Sequence, residues 1–188
     1  MSAKDKEKWD KKYACPDHQI NPEPGEWLTT NADLLPGKGK ALDIAMGEGR
    51  NAVYLASLGY DVLGIDISEA AMQNALALAE RKNVKIKALA ADLDHYKFDD
   101  SGFDLILCFN FLDRSLFPEI RKALLPGGLL FFETFNVDYL KYSRFKQEWV
   151  LDHNELLREF ADFRILRYRE VDRDQTAFAS LVAQKPNV

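Results

Sequence analysis

Hydrophobic and polar positions along most of the chain follow two periods, one typical of buried strands and one typical of amphipathic helices. Strands are predicted at Lys40 to Ala45, Asp61 to Asp66, Val84 to Leu89, Phe103 to Phe109 and Gly128 to Phe135. Helices are predicted between them at Arg50 to Leu58, from the N-cap Ser68 through AAMQNALALAERK, and at Leu116 to Leu125, before Pro126. Strands joined by crossover helices favour a doubly wound, mostly parallel α/β sheet.

The two ends of the chain depart from this alternation. After a helix near His153 to Phe160, strand-like runs at Phe163 to Glu170 and Thr176 to Gln184 are joined only by VDRDQ. So short a connection predicts an antiparallel pair, and therefore a seven-stranded sheet with an antiparallel last strand.

The head of the chain is rich in loops. Helices are predicted at Lys4 to Tyr13 and at Glu26 to Leu35, separated by the breakers of CPDHQINPEPG. We expect residues 1–38 to form a helical lid over a site and residues 39–188 to form the ligand-binding domain, within one domain overall.

Composition narrows the functional classes. A net charge of -5 over 188 residues argues against the broad basic surface that nucleic-acid binding requires. Cys15 and Cys108 lie far apart, and no His or Cys spacing suits a metal, so neither a disulfide nor a metal site is expected. No apolar run is long enough for a signal peptide or a membrane helix, which makes the cytoplasm the expected location.

The sharpest local signal is the segment Asp43-Ile-Ala-Met-Gly-Glu-Gly-Arg-Asn, between the first strand and the first helix. Ligands of open α/β sheets bind at such strand ends. Gly47 and Gly49 would allow a ligand to approach the main chain, and the N–H groups of the following helix favour a carboxylate or a phosphate. A tight turn without a ligand is the alternative.

Acidic residues also mark the ends of the next two strands, at Asp66 and Asp92. Asp66 is suited to accept hydrogen bonds from the ribose hydroxyls of a nucleoside, and Asp92 could bind the amino group of an adenine. Each Asp alone could simply cap the next helix. Three acids at matching strand ends favour a nucleoside-binding edge.

With these residues in place, the chain resembles the class I S-adenosylmethionine-dependent methyltransferases. The resemblance includes the acid and GxG of the first strand, the acids Asp66 and Asp92, the segment FDLILCFN and the LPGG before the fifth strand. More narrowly, WDKKY together with GEGRNAVYLASLGYDVLGIDIS resembles the tellurite-resistance-type branch of small methyltransferases. Met46 departs from the family pattern, which often has a smaller residue there.

The resemblance implies S-adenosyl-L-methionine as cofactor and a small molecule as methyl acceptor. It places Arg50 and the turn amides on the methionine part, Asp66 on the ribose, Asp92 and Leu93 on the adenine, and the main chain at Phe109 on the amino group. The full set of implied cofactor contacts is Asp43, Ala45, Gly47, Gly49, Arg50, Asp66, Ile67, Asp92, Leu93 and Phe109.

Methyl transfer from a sulfonium requires alignment more than acid–base chemistry, so no catalytic residue is assigned. Glu133 or Asp113 could act as a base, or either could be a buried acid paired with Arg114. The aromatic residues Trp9, Tyr13, Trp27 and Trp149 are candidates for a substrate pocket or for core packing.

Two other functions remain open on the sequence. An NAD-dependent oxidoreductase would also use Gly47-x-Gly49-x-x-Ala52 and Asp66, although there is no room for a separate substrate domain. A non-catalytic sensor or scaffold that binds S-adenosylmethionine would keep the same cofactor residues. The sequence leaves the oligomeric state undetermined.

Overall fold

The structure is a computed structural model that describes residues 3–15, 17–19, 21–98 and 102–187. Helix α1 at Ala3–Tyr13 confirms the first predicted helix. Helix α2 at Glu26–Thr30 is shorter than predicted and is followed by a 3₁₀ turn at Ala32–Leu34. The break falls at Asn31, whose side-chain amide donates to the Trp27 carbonyl at 2.8 Å and so competes with helix continuation.

Residues Met1–Lys97 and Phe98–Val188 form two compact units. The first unit contains β1 at Gly39–Ile44, α3 at Arg50–Ser57, β2 at Tyr60–Asp66, α4 at Glu69–Arg81 and β3 at Lys87–Ala90. Strand β2 pairs in parallel with both β1 and β3. The predicted N-cap of α4 is confirmed, because the Ser68 hydroxyl accepts a hydrogen bond from Ala71 N at 3.1 Å.

Strand β3 is shorter than the predicted run from Val84 to Leu89. Val84 and Ile86 precede the strand and pack instead against the buried cluster of Val53, Leu78 and Ala79. Their hydrophobicity therefore reflects contact with the helices and not strand pairing.

The second unit contains β4 at Phe103–Phe109, α5 at Leu116–Ala123, β5 at Leu124–Phe135, α6 at Glu155–Glu159, β6 at Arg164–Arg173 and β7 at Thr176–Gln184. Strand β5 is parallel to β4 and antiparallel to β7. Helix α5 ends earlier than predicted because β5 already begins at Leu124.

The antiparallel tail pair is confirmed, with a tighter connection than VDRDQ suggested. Strand β6 extends to Arg173, so Asp174 and Gln175 alone form the turn, with φ values of 54° and 59°. Two consecutive left-handed residues suit the right-handed twist of a hairpin.

The seven strands form one sheet in the order β3-β2-β1-β4-β5-β7-β6, which confirms the predicted fold class. In each unit the strands carry the core, with Leu42 and Ile65 fully buried in the first unit and Leu105, Phe131 and Val182 fully buried in the second. In the part of the chain that the structure describes, no helix is long and apolar enough to span a membrane.

Candidate functional site

The turn after β1 is built from left-handed backbone. Ala45, Gly47 and Gly49 have φ values of 53°, 55° and 73°. The turn is closed by Met46 N donating to the Ile65 carbonyl at 3.0 Å and by Gly49 N donating to the Met46 carbonyl at 3.0 Å. Ala45 is the informative member, because a non-glycine residue in this region is strained and such strain concentrates at functional sites.

Asp66, at the end of β2, is fixed by main-chain donors. Its Oδ2 accepts from Gly47 N at 2.8 Å and its Oδ1 from Ser68 N at 3.0 Å. Burial raises the pKa of Asp66, although these N–H groups act in the opposite direction. Each carboxylate oxygen can accept more than one hydrogen bond, so both keep capacity for ligand hydroxyls. The first and second strand ends are thereby joined through one carboxylate.

Asp43 is almost completely buried, with 2% of its surface exposed. Burial raises the pKa of Asp43 to about 7, against the hydrogen bond from the Ala52 N–H. Its Oδ2 has no hydrogen-bond partner among the described residues. A buried acceptor without a partner is unfavourable in the free protein and suits a ligand that brings a donor.

Asp92 follows β3 and lies next to Asp66 along the strand ends, since Ala91 N donates to the Asp66 carbonyl at 2.8 Å. Its carboxylate accepts from Asp94 N at 3.1 Å and contacts His95 Nδ1 at 3.3 Å. The next residue, Leu93, is buried with 2% exposure. Asp43, Asp66 and Asp92 are therefore brought to one edge of this unit, together with the half-buried Arg50 and the buried Ile67.

The two glycines of the turn have different roles. A Cβ at Gly49 would lie 2.7 Å from Ala75 Cβ, so this glycine allows α4 to pack closely against the turn. A Cβ at Gly47 would meet the side chain of Tyr13, with the hydroxyl at 3.3 Å and Cζ at 4.0 Å. Met46 is accommodated across Gly64 on β2, where a Cβ would lie 2.0 Å from its sulfur.

The N-terminal segment is fastened over the turn by hydrogen bonds. Asn74 Nδ2 on α4 donates to the Tyr13 carbonyl at 3.1 Å and to Glu48 Oε1 at 3.0 Å. His18 Nε2 lies 2.9 Å from Glu48 Oε2, outside good hydrogen-bond geometry, and the His18 ring meets Tyr13 edge to face. Burial raises the pKa of Tyr13, with Asp66 and Glu48 adding to the effect, so its hydroxyl remains a donor.

Helix α1 is also tied to the start of α4. Asp10 Oδ1 accepts from the Ser68 hydroxyl at 2.7 Å and from Ala70 N at 3.3 Å. The Ser68 hydroxyl and Lys6 lower the pKa of Asp10 to about 2. Ser68 follows Asp66 closely in the chain, so the helix is anchored beside the predicted ribose acid.

In the second unit, Phe109 ends β4, is buried and lies opposite Glu133 on β5. The next residue, Asn110, has a φ of 56° and donates its N–H to the Glu133 carbonyl at 2.8 Å. Glu133 Oε2 in turn accepts from the Ser180 hydroxyl at 2.6 Å and from Arg169 Nη2 at 3.4 Å.

The pairing of Arg114 with Glu133 or Asp113, one of the two alternatives that the sequence left open, is wrong. Arg114 binds Glu155 through two hydrogen bonds, Nε to Oε1 at 2.6 Å and Nη2 to Oε2 at 2.9 Å. Asp113 instead accepts from the Ser115 amide and hydroxyl. Glu155 lies 41 residues from Arg114, and no local pattern indicated it.

The four aromatic candidates separate by exposure. Trp27 is core, with 5% of its surface exposed, whereas Trp149 is 49% exposed. Trp9 stacks on Tyr13 with ring centroids 5.7 Å apart. Sequence reasoning included these residues but missed Asn74 and Ser180, which lie inside ordinary helix and strand patterns.

Residues 41–128 match the methyltransferase domain family, and this segment belongs to it. The fold and the match together confirm the resemblance to the class I S-adenosylmethionine-dependent methyltransferases. The narrower resemblance to the tellurite-resistance-type branch stays a prediction.

Individual relatives extend the comparison. The chain is 34% identical over 128 residues to a ubiquinone biosynthesis O-methyltransferase of Acinetobacter baylyi, covering 64% of this chain and 53% of that protein. It is 30% identical over 167 residues to hemagglutinin 1 of Eikenella corrodens, covering 78% of this chain and 55% of that protein. The chain thus spans little more than half the length of these relatives.

Among solved structures, TehB from Haemophilus influenzae superposes with a TM-score of 0.71 at 23% identity, covering 96% of this chain and 66% of that chain. At this level of identity the similarity concerns the fold.

Proposed function

We propose that the protein transfers a methyl group from S-adenosyl-L-methionine to a small-molecule acceptor. The observation that carries the proposal is the buried Asp43 carboxylate, whose Oδ2 lacks a partner among the described residues. It lies at the start of the left-handed turn and in the same unit as Asp66 and Asp92. A left-handed turn at the start of a helix, beside three carboxylates, suits a ligand with an amino acid part and a nucleoside part.

The residues present fit this cofactor. We assign the methionine part to Asp43, Ala45, Arg50 and the turn amides at Gly47 and Gly49, the ribose to Asp66 and Ile67, the adenine to Asp92 and Leu93, and the amino group to the main chain at Phe109. When bound, the cofactor supplies a methyl group already activated by the sulfonium. The protein then has to align the acceptor and exclude water.

Residues 1–38 serve as the lid in this proposal. The hydrogen bonds from Ser68 to Asp10 and from Asn74 to the Tyr13 carbonyl hold α1 against α4. Tyr13 places its hydroxyl over the Cα of Gly47, where it excludes water from the turn and remains available as a donor. Opening of this segment would admit the cofactor.

The family match gives no support to the NAD-dependent oxidoreductase or to the non-catalytic scaffold. A methyltransferase domain and a net charge of -5 are consistent with a small-molecule acceptor. Because the sulfonium already activates the methyl group, no side chain is assigned as a catalytic base.

Calorimetric titration with S-adenosylmethionine, S-adenosylhomocysteine and NADH tests the proposal. Asp66→Asn replaces a charged acceptor by a neutral one, and we expect affinity for S-adenosylhomocysteine to fall by about ten- to a hundred-fold. The matched control is Asp61→Asn on the same strand, because Asp61 is 56% exposed and pairs only with Lys87 at 3.0 Å among the described residues. Binding of NADH, without binding of S-adenosylmethionine or S-adenosylhomocysteine, would overturn the proposal.

A further inference from the structure

Four aromatic side chains form a continuous cluster after β5, and we call Phe135, Tyr139, Phe145 and Trp149 the aromatic shelf. Phe135 and Tyr139 stack with centroids 4.1 Å apart and an interplanar angle of 16°. Phe145 stands perpendicular to both, at 5.5 Å from Phe135 and 5.2 Å from Tyr139. Trp149 meets Phe145 edge to face at 6.0 Å. The edge-to-face contacts of Phe145 are of the kind that aromatic pairs prefer.

The outer part of the shelf faces solvent. Phe145 is 40% exposed and Trp149 is 49% exposed, and Tyr142 beside them is 44% exposed. Exposed large hydrophobic residues elsewhere in the described chain are the single leucines Leu58, Leu76 and Leu89. Scattered exposed residues are ordinary, but a contiguous aromatic group is typical of a binding surface.

Arg114 holds the main chain on both sides of Trp149. Its Nη1 donates to the Glu148 carbonyl at 3.0 Å and its Nη2 to the Val150 carbonyl at 2.9 Å. The same guanidinium is anchored by its bidentate pair with Glu155, which is 7% exposed. The Arg114 side chain is 41% exposed, but its carboxylate partner is buried. An exposed ring whose backbone is fixed in this way is pre-organised, which lowers the entropy lost when a ligand binds.

The shelf starts on a strand that also carries polar chemistry. Phe135 lies two residues after Glu133, so both side chains emerge on the same face of β5. Glu133 is opposite Phe109 on β4, a predicted cofactor contact. The base of the shelf, at Phe135, therefore lies at the end of β5 next to this predicted contact.

The charges around the shelf balance. Among the described residues they are Lys141, Arg144 and Lys146 against Asp138, Glu148 and Asp172, with Lys141 paired to Asp172 at 2.7 Å and Lys146 to Glu148 at 3.3 Å. A membrane surface would be met by a net basic patch. The balance favours a ligand recognised by its ring and not by its charge.

We propose that the aromatic shelf binds the methyl acceptor and that the acceptor is a planar aromatic molecule, with Trp149 as the principal contact and Arg114 as its positioning residue. This inference rests on the proposed methyl transfer. Stacked or edge-to-face contact with the shelf would discriminate a flat ring from a saturated ring of the same size.

The test measures binding of 2-naphthol and of its saturated counterpart, decahydro-2-naphthol, by calorimetry in the presence of S-adenosylhomocysteine. We expect 2-naphthol to bind about ten-fold more tightly. Trp149→Ala should remove most of this preference and Trp149→Phe should keep it. The control is Leu76→Ala, at a position 43% exposed on α4, which should leave the affinity for both ring compounds unchanged.

Arg114→Lys keeps the charge but loses the planar fork. We expect weaker binding of 2-naphthol with unchanged affinity for S-adenosylhomocysteine, a split that a purely structural role would not give. Equal binding of the two ring compounds, or equal loss in Trp149→Ala and Leu76→Ala, would overturn the inference. The inference would also be overturned if Trp149→Ala lost binding to phosphatidylglycerol vesicles while its binding of 2-naphthol stayed unchanged.

A different measurement, the binding of S-adenosylhomocysteine to the wild-type protein, shows whether the proposed methyl transfer itself is wrong. In that case wild-type protein would not bind S-adenosylhomocysteine, whatever its affinity for naphthol.

Discussion

Each of the two units contains a buried carboxylate near its candidate site, and the two have opposite pKa shifts. Asp43 in the first unit is 2% exposed, and burial raises its pKa to about 7. Glu155 in the second unit is 7% exposed, yet its pKa is lowered, because hydrogen bonds from Arg114 and Asp152 N outweigh the effect of burial. Comparable burial therefore has different consequences, depending on what compensates the charge.

The two units also differ in the groups that donate hydrogen bonds to their other acidic side chains. The first unit satisfies Asp66 with main-chain N–H groups, which demands a special backbone at Ala45 and Gly47. The second unit satisfies Glu133 and Glu155 largely with side chains far away in the sequence, although Glu155 also accepts from the nearby Asp152 N. Function in the first unit should thus be sensitive to backbone changes, and in the second to the loss of a side-chain partner.

Replacing Asp43 by Asn should give the largest effect. A carboxyl with a folded pKa near 7 and an unfolded pKa near 3.9 contributes stability that is fully present below pH 3.9 and is lost as pH rises through 7. The wild-type free energy of unfolding should therefore fall relative to that of Asp43→Asn between pH 4 and 7, by at most about 4 kcal/mol.

Urea unfolding of both proteins at pH 4, pH 5 and pH 8 measures this effect. A saturating ligand that donates to Asp43 would lower its pKa and reduce the difference. Parallel stability profiles without ligand would mean that Asp43 is already ionised at pH 5, and the contrast with Glu155 would disappear.

Gly49→Ala tests the backbone sensitivity of the first unit. Its φ is 73° and the new Cβ would lie 2.7 Å from Ala75 Cβ, so we expect a loss of about 3 kcal/mol from strain and overpacking together. Gly37→Ala is the matched control, since Gly37 has the same φ of 73° but its nearest neighbour, the Leu58 carbonyl oxygen, is 4.0 Å away. Gly37→Ala should lower the free energy of unfolding by only about 1 kcal/mol. Equal losses in urea unfolding would show that contact with α4 contributes nothing.

The same contrast explains what the sequence could predict. The turn after β1 and the acids at the strand ends are local patterns, and so the fold class and the meeting of Asp43, Asp66 and Asp92 followed from spacing. The cofactor contacts assigned to these residues stay predictions. The pairs of the second unit join residues 41 and 47 positions apart, and no periodicity reports such contacts. For that reason the pairing of Arg114 with Glu133 or Asp113, one of two alternatives left open, was wrong.

Element ends were less predictable for a related reason. Strand β3 and helix α5 are shorter than their hydrophobic patterns, since Val84 packs on helices and Leu124 already belongs to β5. Hydrophobicity indicates that a residue is buried, whereas its pairing depends on neighbours that are distant in the sequence.

Glu155→Gln tests the second unit and should have the smallest effect of the three. The change leaves Arg114 without its charged partner while keeping the shape of the side chain, and we expect a loss of about 2 kcal/mol. The lowered pKa of Glu155 means that its contribution is present above the unfolded pKa of 4.5 and is lost as pH falls through the folded value. The difference between wild type and variant should therefore be constant near pH 7 and shrink only in acid.

Glu119→Gln provides the comparison, because Glu119 and Lys122 form an exposed pair at 2.8 Å with side-chain exposures of 36% and 58%. Glu119→Gln should lower the free energy of unfolding by less than about 0.5 kcal/mol, as for other surface pairs on helices. If Glu155→Gln were as mild as Glu119→Gln in urea unfolding, the Arg114 pair would not fix the main chain around Trp149. The hydrogen bonds to Glu155 would then compensate its buried charge no better than the surroundings of Asp43 compensate that of Asp43.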